Sequence, residues 1–126
     1  MITDEELTDA IDKAMAICPD NLHGRNRELY LIQDFILEWE NGSFSGYLYN
    51  KIPNFSHIHE TISAMNTHGL NELSQILSEV ISFFKTYEEP VPATTLEFVL
   101  KQYDPSGKLD TLDSLVNTLD NYGIDG

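Results

Sequence analysis

The chain has 126 residues, of which 21 are acidic and only 7 are basic, so its formal net charge is -14. This length allows one domain with a hydrophobic core that needs no disulfide or metal. The charge makes phosphate backbones and anionic lipid surfaces unfavourable partners, which argues against nucleic acid and membrane as ligands. A basic protein surface is the natural complement, although the charge could also serve solubility alone.

The single cysteine, Cys18, cannot form an internal disulfide. A lone thiol is typical of a protein from a reducing compartment. The first six residues include acidic but no basic side chains, and no apolar run approaches the roughly 20 residues that cross a bilayer. We therefore expect a soluble, cytoplasmic protein.

The first predicted helix follows Thr3, which forms a capping box with Glu6, and ends before Pro19. Its apolar face carries Leu7, Ala10, Ile11, Ala14 and Ile17. Its opposite face carries Glu5, Asp9 and Asp12. A second helix is predicted over residues 25–40, with Leu29, Ile32, Phe35, Ile36 and Trp39 as a wide apolar face.

A helix stop joined to an aromatic cluster follows. Asn41-Gly42 can leave the right-handed helical region at little steric cost, so the second helix is predicted to end there. Ser43 can then cap a short new helix. In that helix Phe44, Tyr47 and Leu48 fall at i, i+3 and i+4 and share one apolar face. The segment predicts a packed corner, and its aromatic residues indicate core packing before a ligand pocket.

This corner resembles a family of small bacterial proteins that includes a DNA-mimic protein. The family pattern is an acidic helix that runs into Asn-Gly-Gly-Phe, then an aromatic step and an asparagine. The matching residues are Asn41, Gly42, Phe44, Tyr47 and Asn50. Ser43 replaces the second glycine, and Gly46 stands where glutamine is usual. The resemblance is specific over residues 38–50 and extends in helical layout over residues 25–121; it implies an all-helical fold.

Further helices are predicted beyond Pro53. One carries Phe55, Ile58, Ile62 and Met65, with Asn54 or Ser56 as its cap and Gly69 as its stop. The strongest amphipathic helix follows over residues 70–84 and should be the central core element. Thr94 or Thr95 can begin a helix over residues 96–103, residues 104–107 form a turn, and a last helix covers residues 109–119. We predict an all-α, single compact domain of six or seven helices over residues 1–126.

No catalytic, metal or cofactor site is predicted. His57 and His59 point about 200° apart on a helix, so they cannot share one ion, and His57 with Glu60 is only a two-ligand fragment. Residues 42–46 lack the central serine of a nucleophile elbow, and residues 104–113 lack the ordered ligands of a calcium loop. We expect a protein that is not an enzyme.

The predicted partner-binding residues are carboxylates on the polar faces of two helices: Asp34, Glu38, Glu72 and Glu79. The alternative is that these four are only solvated. The family resemblance implies DNA mimicry, in which carboxylates imitate phosphates and occupy the DNA-binding surface of a transcription factor. An immunity protein that neutralises a basic nuclease toxin would need the same size and charge, and an enzyme with an unrecognised site is the third reading. A homodimer is compatible with the sequence.

Overall fold

The computed structural model describes residues 2–51, 55–82 and 107–124, and within these ranges the fold is all helical. Its α-helices are α1 (Asp4–Ala16), α2 (Gly24–Lys51), α3 (Phe55–Thr67), α4 (Asn71–Ser82) and α5 (Lys108–Thr118). Short 3-10 turns cover Pro19–Asn21 and Asp120–Gly123. The helices share one hydrophobic core. The predicted all-α, compact single-domain architecture is therefore confirmed.

The predicted start of α1 is confirmed by its cap. Thr3 has extended backbone angles, and its hydroxyl oxygen accepts a hydrogen bond of 3.3 Å from the backbone N of Glu6. This satisfies one of the donors that the first turn of a helix leaves free. Leu7 and Ala10 then pack against α2. The apolar stripe was predicted one residue too long, because Ile17 follows the helix in an extended conformation and is exposed.

The predicted corner is a kink inside α2 rather than a complete helix end. Gly42 (φ -149°, ψ 15°) and Ser43 (φ 57°, ψ -163°) depart from helical angles, and helical hydrogen bonding resumes on the far side. The expectation that the chain leaves the helical region at Asn41-Gly42 is confirmed at Gly42, but the departure also includes Ser43. The positive φ falls on Ser43, at the position where the family pattern has its second glycine. The packing of the two arms of α2 decides which residue adopts the positive φ.

The predicted stop of α3 at Gly69 is confirmed. Gly69 has a φ of 80°, in the left-handed region. The backbone N of Leu70 donates to the carbonyl of Met65 at 2.8 Å, and the N of Gly69 donates to that of Asn66 at 3.2 Å. This pair of bonds is a Schellman motif, which satisfies the last carbonyls of a helix and reverses the chain. It turns the chain directly into α4.

The core forms where the apolar faces of these helices meet. α1 and α3 both pack on α2, and α4 packs on α3 and on α5. The ring of Phe35 contacts that of Tyr47 edge to face at a centroid separation of 4.9 Å. The ring of Phe44 lies 6.0 Å from that of Phe35. The aromatic residues of the corner are therefore core, as predicted, with the exception of Tyr49, which is exposed.

Part of the predicted helix count is not reproduced. Five α-helices are found in the described ranges instead of six or seven, partly because the two arms of the corner form one kinked helix. The helix predicted over residues 96–103, most of the turn at 104–107 and the end of the long helix at Phe84 lie outside the described residues. The last helix was placed correctly to within a residue at each end.

Candidate protein-binding surface

The kink of α2 is held by a carboxylate from the other end of the chain. Asp113 Oδ1 accepts a hydrogen bond of 2.9 Å from Trp39 Nε1 and another of 2.9 Å from the backbone N of Phe44. The kink frees that backbone N–H from its usual helical acceptor, and Asp113 replaces it. The corner that matches the family pattern is thus completed by α5.

Asn50, the last residue of the family pattern, bridges the two arms of α2. Its side-chain amide donates a hydrogen bond of 2.5 Å to Glu38 Oε2. Glu38 is half-buried and is one of the four predicted partner-binding residues. This contact orients the carboxylate and leaves its negative charge in place, since an amide donor is neutral. Glu38 therefore remains part of the acidic surface while it also holds the corner.

Asp34 does not direct its charge outward as expected. Its side chain is only 17% exposed and forms an ion pair of 2.8 Å with Lys51 Nζ, with His57 Nε2 at 3.8 Å from the same oxygen. Burial opposes ionisation of Asp34, but the proximity of His57 and Lys51 to its carboxylate outweighs burial and lowers the pKa of the carboxyl below its usual range. Asp34 therefore links the two arms of α2 through Lys51 and lies beside His57 of α3, so its charge is engaged within the fold.

Glu72 and Glu79 lie on the exposed side of α4, as predicted. Glu79 Oε2 is 3.7 Å from Lys108 Nζ, and both side chains are more than half exposed, so this ion pair contributes little to stability. The structure thus places Asp34 and Glu38 at the kinked part of α2, and Glu72 and Glu79 beside α5. Partner contact by these four residues stays a prediction.

The positive charges of the described ranges are engaged within the fold. Arg25 pairs with Glu6, and Arg27 pairs with both carboxylate oxygens of Glu60 through its Nε and Nη2. The hydrogen bond from Arg27 lowers the pKa of Glu60. Lys13 contacts Asn26 Oδ1 at 3.4 Å. Together with the pairs of Lys51 and Lys108, these contacts leave negative charge predominant on the surface of the described ranges.

Two acidic surfaces are found within the described ranges. The outer face of α1 carries exposed Glu5, Asp9 and Asp12, as the sequence predicts. The second surface is a groove between α4 and α5, called here the α4–α5 groove. It is an open depression of about 250 Å³, continuous through Glu72, Thr118 and Leu119 with another of about 380 Å³ that reaches Asp120 and Tyr122. Its main walls are Glu72, Gln75, Ile76 and Glu79 from α4, Leu115 from α5, and Leu119, which directly follows α5.

No group of three or more metal-binding side chains is found among the described residues. Glu60, which forms the two-ligand fragment with His57 in the sequence, is engaged in an ion pair with Arg27. Of the helices in the described ranges, none is both long and apolar enough to span a bilayer.

The comparison with known families agrees with this architecture. Residues 20–124 match the model of the family described as DMP19-like protein. The chain belongs to the DMP19-like family. The match covers the kinked α2, the Asp113 cap and both walls of the α4–α5 groove, and it confirms the resemblance to a DNA-mimic family that the corner indicates. The DMP19-like family is not an enzyme family. No curated protein and no solved structure matches the chain.

Sequence reasoning missed Asp113 and the α4–α5 groove. Nothing local distinguishes Asp113 from neighbouring acidic residues, because its partners are 69 and 74 positions away. The groove was indicated only weakly, by the helical spacing of residues on its two sides. Glu72, Ile76 and Glu79 follow helical spacing, and Leu115 lies on the apolar stripe of the last helix yet stays 44% exposed.

Proposed function

We propose that the protein is an acidic protein-binding module that acts as a DNA mimic and occupies the basic, DNA-binding surface of a transcription factor. Membership of the DMP19-like family is the observation that carries this proposal. The charge of -14 supports it, as does the use of the described Lys and Arg side chains within the fold. A surface of this kind attracts basic proteins and repels DNA.

Within this proposal the four predicted residues have different roles. Glu72 and Glu79 are exposed and contribute directly to contact. Glu38 contributes charge from a position oriented by Asn50. Asp34 acts mainly by holding Lys51, so its replacement would alter folding as well as binding. A variant in which all four are neutralised would therefore confuse loss of contact with loss of stability.

The test starts with capture of partners from bacterial extract on the immobilised protein at low salt. Duplex DNA in excess is expected to release the captured DNA-binding protein, because both ligands compete for one basic surface. Association with the purified partner should slow as salt is added. An uncharged-matrix column and a column of an unrelated acidic protein serve as controls.

Two results would contradict the proposal. One is tight binding of labelled duplex DNA by the protein itself at low salt. The other is a captured partner that excess DNA does not displace. Capture of a nuclease toxin whose activity the protein blocks would instead support the immunity-protein alternative.

A further inference from the structure

We propose that the α4–α5 groove is the docking site for an amphipathic, basic helix of the partner protein. This inference rests on the proposed function and adds to it the part of the partner that is recognised. The groove combines an apolar floor with carboxylates along its rim.

The carboxylates on the α4 wall have a regular spacing. Glu72, Ile76 and Glu79 fall at i, i+4 and i+7, so they lie along one side of the helix. Seven residues of helix rise about 10 Å, which separates the two glutamates by about two turns. A partner helix with Lys or Arg two turns apart would present its cations at the same interval.

The floor between the two helices is apolar. Ile76 and Leu112 are nearly buried, while Leu115 is 44% exposed and borders the groove from the α5 side. The methylene stem of a Lys or Arg side chain can cover such a floor while its charged end reaches a carboxylate on the rim. An apolar residue between the two cations would contact Leu115.

Repulsion between like charges argues against a second copy of this chain as the occupant of the groove. Two copies joined through this groove would bring Glu72, Glu79 and Asp120 of one against the same residues of the other. Like charges placed face to face at an interface oppose association. The exposed pair of Glu79 with Lys108 is weak and can exchange for a cation of the partner.

The test uses two fluorescein-labelled peptides with one composition of Lys, Arg, Leu and Ala. In the first, helical spacing puts the leucines on one face and flanks them with cations; in the second, the order is scrambled so that no apolar face forms. We expect the amphipathic peptide to bind the full chain more tightly. Leu115→Ser should weaken its binding about tenfold, since leucine burial is lost. The matched control is Leu37→Ser, because Leu37 is 45% exposed on α2 outside the groove.

A second pair of variants tests the rim. Glu72→Gln with Glu79→Gln should slow association of the amphipathic peptide several-fold. Glu5→Gln with Asp12→Asn removes the same charge from α1 and should change the rate far less.

Equal binding of both peptides, or equal effects of Leu115→Ser and Leu37→Ser, would overturn the inference. A lower denaturation midpoint for Leu115→Ser but not for Leu37→Ser would also overturn it, because it would mean that this chain's own residues fill the groove. Loss of a dimer in Leu115→Ser on sedimentation would assign the groove to a second copy and overturn it too. If these tests fail while duplex DNA still displaces the captured partner, the proposed function stands and only the docking site is wrong.

Discussion

Asp113 on α5 accepts a hydrogen bond of 2.9 Å from the indole Nε1 of Trp39 on α2. The same oxygen accepts the backbone N–H of Phe44, immediately after the kink. One carboxylate therefore satisfies both the indole N–H and the backbone N–H that the kink frees, and it fastens the last helix to the corner that matches the family pattern. In this acidic chain at least one negative charge has a structural role.

Asp113→Ala should lower the free energy of unfolding by about 2–3 kcal/mol, because both donors lose a charged acceptor and Trp39 is a buried residue. Asp113→Asn keeps an oxygen acceptor and should cost less. Urea denaturation measures both variants. Asp110→Ala on the exposed side of the same helix is the control, and a midpoint for Asp113→Ala no lower than for Asp110→Ala would contradict the assigned role.

Ser43→Gly should raise the free energy of unfolding by about 1 kcal/mol. Ser43 has φ 57° and ψ -163°, a region that is essentially restricted to glycine and costs other residues about 1–3 kcal/mol. Part of the gain is offset by the greater freedom of glycine in the unfolded chain. Ser45→Gly, two residues on in helical conformation, should instead destabilise by about 0.5–1 kcal/mol. A shift of both variants in the same direction would argue against strain at Ser43.

Phe44→Ala should lower the free energy of unfolding by about 3–5 kcal/mol, because the ring is fully buried beside Phe35 and its loss leaves a cavity. Tyr49→Ala removes an exposed aromatic ring from the same arm of α2 and should change stability little. Denaturant titrations compare the two. An unchanged midpoint for Phe44→Ala would place the ring outside the core.

Asp34→Asn should lower the free energy of unfolding at pH 7 by about 2 kcal/mol, because Lys51 loses its charged acceptor. The pKa of Asp34 lies below its ordinary value of 3.8 in the folded protein. Its contribution is therefore complete above that ordinary value and is lost as the pH falls through the lower, folded pKa.

The acid side of the stability profile should accordingly be shallower in Asp34→Asn than in the unaltered protein. Thermal melts from about pH 2 to pH 7 measure this slope, with exposed Asp12→Asn as the control. Parallel acid profiles for Asp34→Asn and the unaltered protein would show that this ion pair does not stabilise the fold.

Local rules predicted the helices well. The Thr3 cap, the Gly69 stop and the apolar stripes of α2, α4 and α5 all follow from chemistry within one or two turns of the chain, and the structure confirms them with the exception of exposed Leu115. The acidic outer face of α1 follows for the same reason, since helical spacing alone separates Glu5, Asp9 and Asp12 from the core face.

Local rules failed where a side chain finds its partner far along the sequence. Helical spacing places Asp34 on a polar face, yet Lys51 and His57 approach that face when α2 bends and α3 packs on it. Asp113 caps the kink only because α5 returns to α2, and the φ at Ser43 depends on how the two arms of α2 pack together. The sequence by itself determined the helices and the net charge; tertiary packing decided which carboxylates hold the fold and which remain at the surface, because ion pairs form between residues brought together in space.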